Sequence, residues 1–136
     1  MRSLFRSILA VVAGFFMASV VMTVIEAVNG RVLYPGLAKA AEGVTDREAL
    51  RSLFAGAPVG SLFVVVFGWA LGSLAGGWVA ARIGKRSPVW HALALGVCLT
   101  LAGVANNLTL PPPLWFWVAS VAVLLPAAYV GGRLAR

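Results

Sequence analysis

Four long apolar runs, separated by short polar or proline-rich segments, make up most of the 136-residue chain. A helix needs about 20 mostly apolar residues to cross the hydrocarbon core of a bilayer. Four stretches meet this condition, namely residues 7–29, 58–82, 88–108 and 113–132. The pattern therefore predicts an all-α membrane protein whose single membrane domain, 1–136, is a bundle of four transmembrane helices.

The longest polar segment, residues 30–57, lies between the first and second spans. Thr45 and Glu48 have the spacing of a capping box at the start of a helix. Apolar positions then recur at helical spacing: Ala49, Leu50, Leu53 and Phe54. We predict a short amphipathic helix over 46–55 that lies on the membrane surface, where it either covers the bundle or docks a partner.

The charged residues are distributed unequally between the two sides of the predicted bundle. Seven basic residues flank the spans on one side: Arg2, Arg6, Arg82, Lys85, Arg86, Arg133 and Arg136. Basic residues on the other side are diluted by acidic ones in a longer loop. By the positive-inside rule, the N and C termini are cytoplasmic. The net charge of +7 thus indicates topology and contact with anionic headgroups of the lipid bilayer, and no nucleic acid is expected as a partner.

Small residues recur at every fourth position of the second span: Gly68, Gly72, Gly76 and Ala80. Gly72 and Gly77 have the glycine spacing of a phosphate-binding loop, but no Lys-Ser/Thr follows them. Between helices in lipid, such stripes permit close van der Waals contact. Shorter stripes occur on the first helix (Ala10, Gly14 and Ala18), the third (Ala92 and Gly96) and the fourth (Ala127 with Gly131, Ala128 with Gly132). The stripes predict a tight bundle, and whether some face a second copy stays open.

The two halves of the chain resemble one helical hairpin used twice. Residues 76–83 align with 127–134, and residues 19–35 align with 96–112, which pairs Asn29 with Asn106. Both hairpins run in the same direction, as in parallel-repeat membrane proteins. Chance matches among apolar residues could produce the same similarity, so the tandem repeat is one of two interpretations.

Polar side chains inside the spans mark a candidate site. Glu26 is the one acidic residue within a predicted span, about one turn from the outer end of its helix, and ionisable groups in a membrane are functional candidates by default. Asn29, Asn106 and Asn107 are predicted at a similar depth. The four residues could bind a cation or a polar headgroup. Alternatively, Glu26 extends to the interface and the asparagines form hydrogen bonds that fix the bundle.

No other pattern indicates chemistry. His91 stands alone at the start of the third span, and Cys98 is a single cysteine, expected to be an inert core residue. Trp69, near mid-membrane, is expected to pack against lipid or core, or to form a wall for a flat apolar ligand. We find no nucleophile with a nearby base and no set of metal ligands, and expect no enzyme activity, no metal and no cofactor.

The segments "FGWALGSLAGGWVAARI", "HALALG", "PPPLWFW" and "LPAAYVGGRL" resemble a group of small bacterial four-span inner-membrane proteins without an assigned activity. The resemblance covers nearly the whole chain. It implies the same fold and a multi-pass location in the bacterial cytoplasmic membrane, and it carries over no catalytic residue. A weaker likeness to small multidrug-resistance transporters is contradicted by the position of Glu26 near a helix end and by the strong charge asymmetry.

Two functions fit these features. The first is a non-enzymatic structural or accessory membrane protein that forms a homo-oligomer or joins a larger membrane complex through its glycine-striped helices. The second is a small dimeric carrier that binds a cation or polar solute at Glu26 with the outer-leaflet asparagines.

Overall fold

The computed structural model describes all 136 residues, and the chain folds into helices without any strand. The elements, in chain order, are α1 (Arg2–Val28), which continues into a π-helical segment (Asn29–Leu33), α2 (Pro35–Ala41), α3 (Arg47–Ala55), α4 (Val59–Ile83), α5 (Pro88–Thr109) and α6 (Leu114–Leu134). Four of these, α1, α4, α5 and α6, are long and apolar enough to cross a membrane. The all-α fold with four such helices is therefore confirmed.

The helix ends follow from local chemistry. Pro88 occupies the first turn of α5, and Pro58 and Pro113 directly precede α4 and α6, where a missing N–H costs nothing and the fixed φ suits a helix start. The observed bounds of α4, α5 and α6 lie within two residues of those predicted. With the π-helical segment included, the first helix is longer than 7–29 at both ends, and no proline interrupts it before Pro35.

Both termini and the α4–α5 turn lie at one end of the bundle, called here the termini end. The opposite end, called the loop end, carries α2 and α3. Leu37 of α2 and Phe54 of α3 pack against a small core of Ala57, Leu62 and Phe116. The two short helices therefore cover the loop end of the bundle.

The start of α3 differs in one detail from the sequence prediction. The N-cap is Asp46, whose Oδ2 accepts a hydrogen bond from the Ala49 N–H at 2.9 Å; Thr45 does not cap the helix. A carboxylate at this position also interacts favourably with the helix dipole. Helix α2 has no counterpart in the sequence analysis, since its seven residues are too few for periodicity to reveal.

The glycine stripe of α4 faces α1 of the same chain. A Cβ atom built on Gly76 would lie 2.6 Å from the Gly14 carbonyl oxygen, and one on Gly72 would lie 2.7 Å from Met22. Gly68 contacts Ile25 in the same way. The missing side chains thus let the two backbones approach each other, as expected for small-residue interfaces in lipid.

The remaining small residues line the other helix contacts. Gly77 of α4 lies against the backbone of Ala128, and Gly131 of α6 lies against the backbone of Leu74. Gly132 contacts Ala92 of α5. Ala10, Ala18 and Ala80 are fully buried. α4 therefore packs closely on both α1 and α6, and it also contacts α5, whereas α1 and α5 meet over a smaller area.

Cys98 is exposed on α5, so the expectation of a buried core position is wrong. Leu95 and Leu99 occupy the buried face of this helix. Together with Ala92, Gly96 and Gly103, they define a face whose centre lies about 120° around the helix from Cys98 at 3.6 residues per turn, which turns its side chain away from the other helices. The apolar sequence around Cys98 does not show which side of the helix faces the bundle.

Candidate functional site

Glu26 makes a specific contact with the neighbouring helix. Trp69 Nε1 donates a hydrogen bond to Glu26 Oε1 at 3.0 Å. Trp69 is ten residues into α4 from the loop end, a depth of roughly 15 Å at 1.5 Å per residue, and only 7% of its surface is exposed. Helical side chains lean towards the N-terminus of their helix, which for α1 is the termini end. Glu26 itself is exposed, so the hydrogen bond draws its carboxylate from the surface of α1 towards the buried Trp69 of α4.

Glu26 also lies further from the end of its helix than the sequence suggests. The helical backbone continues through the π-helical segment to Leu33, seven residues or roughly 10 Å beyond Glu26. A glutamate that simply extended to the interface would point towards that end. The hydrogen bond ties it instead to Trp69 of α4.

Asn29 is buried, with 5% of its surface exposed. Its Nδ2 donates to the Ser61 carbonyl oxygen at 3.1 Å and to Ser61 Oγ at 3.2 Å. Because a backbone carbonyl can only accept a hydrogen bond, these contacts fix the orientation of the amide. Asn29 Oδ1 is left buried without a hydrogen-bond partner.

Asn107 repeats this arrangement in the second half of the chain. It is 1% exposed, and its Nδ2 donates to Ser120 Oγ at 3.0 Å. Ser120 Oγ in turn donates to the Trp117 carbonyl oxygen, so it accepts from the amide and fixes its orientation. Asn107 Oδ1 is the second buried oxygen without a partner. A buried acceptor without a partner is costly, so each of these two oxygens calls for an explanation.

The repeat alignment pairs Asn29 with Asn106, but the residue that has the same hydrogen-bonding role is Asn107. Asn106 is exposed. In each half, an asparagine near the end of one helix thus binds a serine of the next long helix. The position of the second asparagine differs by one residue from the one that the alignment pairs with Asn29. The tandem repeat stays a prediction.

Two cavities meet at Glu26. The first, the lateral groove, lies between α1 and α5, has a volume of about 250 Å³ and extends from Glu26 and Asn106 to Phe15 and Leu99. Phe15 and Asn106 are both exposed, so the groove opens sideways between the two helices. This opening is possible because α1 and α5 meet over a smaller area than the other neighbouring helices.

The second cavity, the loop-end cavity, has a volume of about 270 Å³ and lies beneath α2 and α3. All four predicted site residues line it: Glu26, Asn29, Asn106 and Asn107. Glu26, Trp69 and Asn106 line both cavities. The structure thus brings the predicted residues together, and places Glu26 on the wall that the two cavities share.

The buried free polar groups of this site are acceptors, whereas the exposed Asn106 keeps both an amide donor and an acceptor. Glu26 has a carboxylate, whose Oε1 accepts a hydrogen bond from Trp69. The amide groups of Asn29 and Asn107 donate to serines. A carboxylate and two amide oxygens match a cation or a ligand rich in hydrogen-bond donors. No cluster of three or more His, Cys, Asp or Glu side chains occurs in the chain.

Trp69, Ser61 and Ser120 are the site residues that sequence reasoning did not assign. Trp69 stood out by its depth, but its hydrogen bond to a residue 43 positions away carries no sequence signal. Each serine is a single small polar residue in an apolar helix, and a partner for a buried hydroxyl could be expected. Which partner it has depends on helix rotation, which periodicity alone does not give.

The termini end contains hydrogen bonds that hold the helices together. His91 Nδ1 lies 2.8 Å from the Ser87 carbonyl oxygen, and His91 Nε2 lies 2.9 Å from Ser7 Oγ on α1. Arg6 Nε donates to the Ile83 carbonyl oxygen at 2.7 Å. Both ring nitrogens of His91 therefore have partners within the chain, and α1 is tied to both α4 and α5.

The fold and the site together define an all-helical protein with four helices capable of crossing a membrane and a polar site near one end of the bundle, which indicates a membrane protein. No known protein family, curated protein or solved structure matches the chain. The resemblance to small bacterial four-span proteins accordingly stays a prediction.

Proposed function

We propose that this protein is a non-enzymatic membrane protein that binds a small cation or polar solute at Glu26, and that it acts as a small carrier, working as a dimer. The observation that carries the proposal is the hydrogen bond from Trp69 to Glu26. It fixes the carboxylate of an exposed residue against the buried Trp69, on the wall between two cavities. An intramembrane acid in such a position is costly unless a ligand or a pathway uses it.

The two cavities support transfer of a ligand past Glu26. One is covered by α2 and α3, and the other opens sideways between α1 and α5. In the orientation proposed from the basic residues, the loop end lies outside the cell and the termini end in the cytoplasm. A bacterial inner membrane is the proposed location, which rests on the sequence resemblance.

Reconstituted vesicles test the proposal. We expect the wild-type protein to carry at least one of radiolabelled Na⁺, Rb⁺ or ethylammonium, and Glu26→Gln to reduce that flux to the background of empty vesicles. Glutamine keeps an acceptor for Trp69 and removes the charge, so the fold is preserved. Glu48→Gln, an acid on the exposed surface of α3, is the matched control. Equal flux through Glu26→Gln and wild type would refute the carrier.

A structural or accessory role is the second proposal. It is supported by the exposure of α1, the least covered of the four long helices. In the most apolar stretch of each helix, 17% of the residues are buried for α1 and 39% for α4. The glycine stripes contact helices within the chain, so a partner would have to pack on larger side chains. Mass measurement in mild detergent tests this role, and a strictly monomeric species without a co-purifying protein would count against it.

A further inference from the structure

We infer that the ligand at Glu26 is a primary ammonium group carried on an apolar chain, whose nitrogen lies among Glu26, Asn29 and Asn107 and whose chain lies in the lateral groove. This inference rests on the proposed binding function and names its ligand class. Three observations lead to it: the charge of the site, its unpartnered acceptors and the direction of the groove.

The charge of the site favours a monovalent cation. Glu26 is the one carboxylate that lines either cavity. A monovalent cation beside it forms a neutral pair, whereas a divalent ion would leave a net positive charge in a region of low dielectric constant, which is strongly unfavourable. The absence of a second acid in these cavities thus excludes the usual calcium or magnesium ligand sets.

The hydrogen-bonding capacity of the site favours a cation that carries N–H groups. Asn29 Oδ1 and Asn107 Oδ1 are buried and unpartnered, and the serine contacts described above prevent either amide from turning to present its donors. Both residues line the loop-end cavity with Glu26, and a ligand must displace the atoms that cover these two oxygens before it can contact them. A primary ammonium has three N–H donors for these three acceptors. A trimethylammonium group has none, and would leave both amide oxygens unsatisfied.

The lateral groove gives the ligand its apolar part. From Glu26 to Phe15 it follows α1 for eleven residues, a distance of roughly 16 Å at 1.5 Å per residue. Its walls below Glu26 include Met22, Leu99 and Leu124. A bare metal ion would not use this surface, whereas an alkyl or acyl chain would bury apolar area along it. The opening between α1 and α5 gives such a ligand direct access from the lipid.

Trp69 adds to the selectivity of the polar end. Its ring lines both cavities, and its edge lies 3.1 Å from the position that a Cβ atom on Gly103 would occupy. An alanine at 103 would therefore press on the ring. The ring presents its N–H edge to Glu26, so it positions the carboxylate that pairs with the ammonium.

Binding to the purified full-length chain in mild detergent, measured by calorimetry, tests the inference. The probes are dodecylamine and dodecyltrimethylammonium, which have the same chain and differ in N–H donors. We expect dodecylamine to bind about tenfold more tightly, which corresponds to about 1.4 kcal/mol, and butylamine to bind more weakly than dodecylamine because it leaves the groove largely unfilled. Glu26→Gln should abolish binding, and Glu48→Gln should not alter it.

The outcomes separate this inference from the carrier proposal. Equal or tighter binding of the trimethyl compound, or no dependence on chain length, would overturn the ligand class even if Glu26-dependent Na⁺ or Rb⁺ flux were observed. Loss of all Glu26-dependent flux and binding would overturn both proposals.

Two sources of the ammonium amphiphile can be distinguished in vesicles. Retention of phosphatidylethanolamine by the wild type, but not by Glu26→Gln, in native mass spectrometry would identify a lipid headgroup as the source. Binding of dodecylamine in phosphatidylglycerol vesicles, without retention of phosphatidylethanolamine, would identify a free amine. Retention of neither would overturn the inference.

Discussion

At the scale of single residues, the contact between Trp69 and Glu26 is the feature that gives the site its position. We expect Trp69→Phe to weaken binding of dodecylamine several-fold, because the carboxylate loses the donor that fixes its position. The variant keeps an aromatic ring for the edge-on contact with Phe116, whose centroid lies 6.1 Å away. The free energy of unfolding should fall by about 1–2 kcal/mol, in the upper range for interhelical hydrogen bonds in membranes.

Denaturant titration followed by circular dichroism measures that loss, and Trp90→Phe is the matched control. Trp90 is 73% exposed and its replacement should change neither stability nor binding. If Trp69→Phe bound the amine as tightly as wild type, the hydrogen bond would be a feature of bundle packing and not of the site.

At the scale of helices, close contact between α1 and α4 depends on Gly76 and Gly14. We expect Gly76→Ala to destabilise the bundle by about 1–3 kcal/mol, since its Cβ would meet the Gly14 carbonyl oxygen and force the helices apart. The higher helix propensity of alanine offsets this by at most about 1 kcal/mol. Thermal unfolding in detergent measures the difference.

Gly36→Ala provides the control with the opposite expected sign. No atom lies within 4 Å of a Cβ at this position in α2, so only the gain in helix propensity remains and stability should be unchanged or slightly higher. If Gly76→Ala left the unfolding of the chain unaltered and instead dissociated a dimer, the stripe would face a second copy and not α1.

Helical periodicity accounts for what could be predicted from the sequence and for what could not. Apolar runs and prolines predicted the four long helices. The similar predicted depth of Glu26 and the three asparagines grouped these residues as one candidate site. Periodicity states which residues share a face, but the rotation of each helix against its neighbours is set by packing. The Trp69 contact, the outward position of Cys98 and the choice of Asn107 over Asn106 all depend on that rotation.

At the scale of the whole molecule, one side chain of α3 is hydrogen-bonded to the end of α5. Arg47 Nη2 donates to the Leu108 carbonyl oxygen at 2.9 Å, one of the last carbonyls of α5, which have no partner within their own helix. The bond joins the cover to the helix that carries Asn106 and Asn107. Ligand entry into the loop-end cavity from this side would therefore require α3 to move and this contact to break.

We expect Arg47→Ala to open this cover more often while leaving the bundle intact. Losing this exposed hydrogen bond, which contributes at most about 1 kcal/mol, should speed amide hydrogen exchange in α3 by up to about fivefold, because local opening becomes more frequent. Exchange in α4 should stay unchanged. Arg51→Ala, a change at an exposed position of the same helix, is the control. If the cover limits ligand passage, Arg47→Ala also raises the rate of Glu26-dependent flux in vesicles. Unchanged flux together with faster exchange would show that the ligand enters and leaves by the lateral groove, and that α3 only shields the polar end of the bundle.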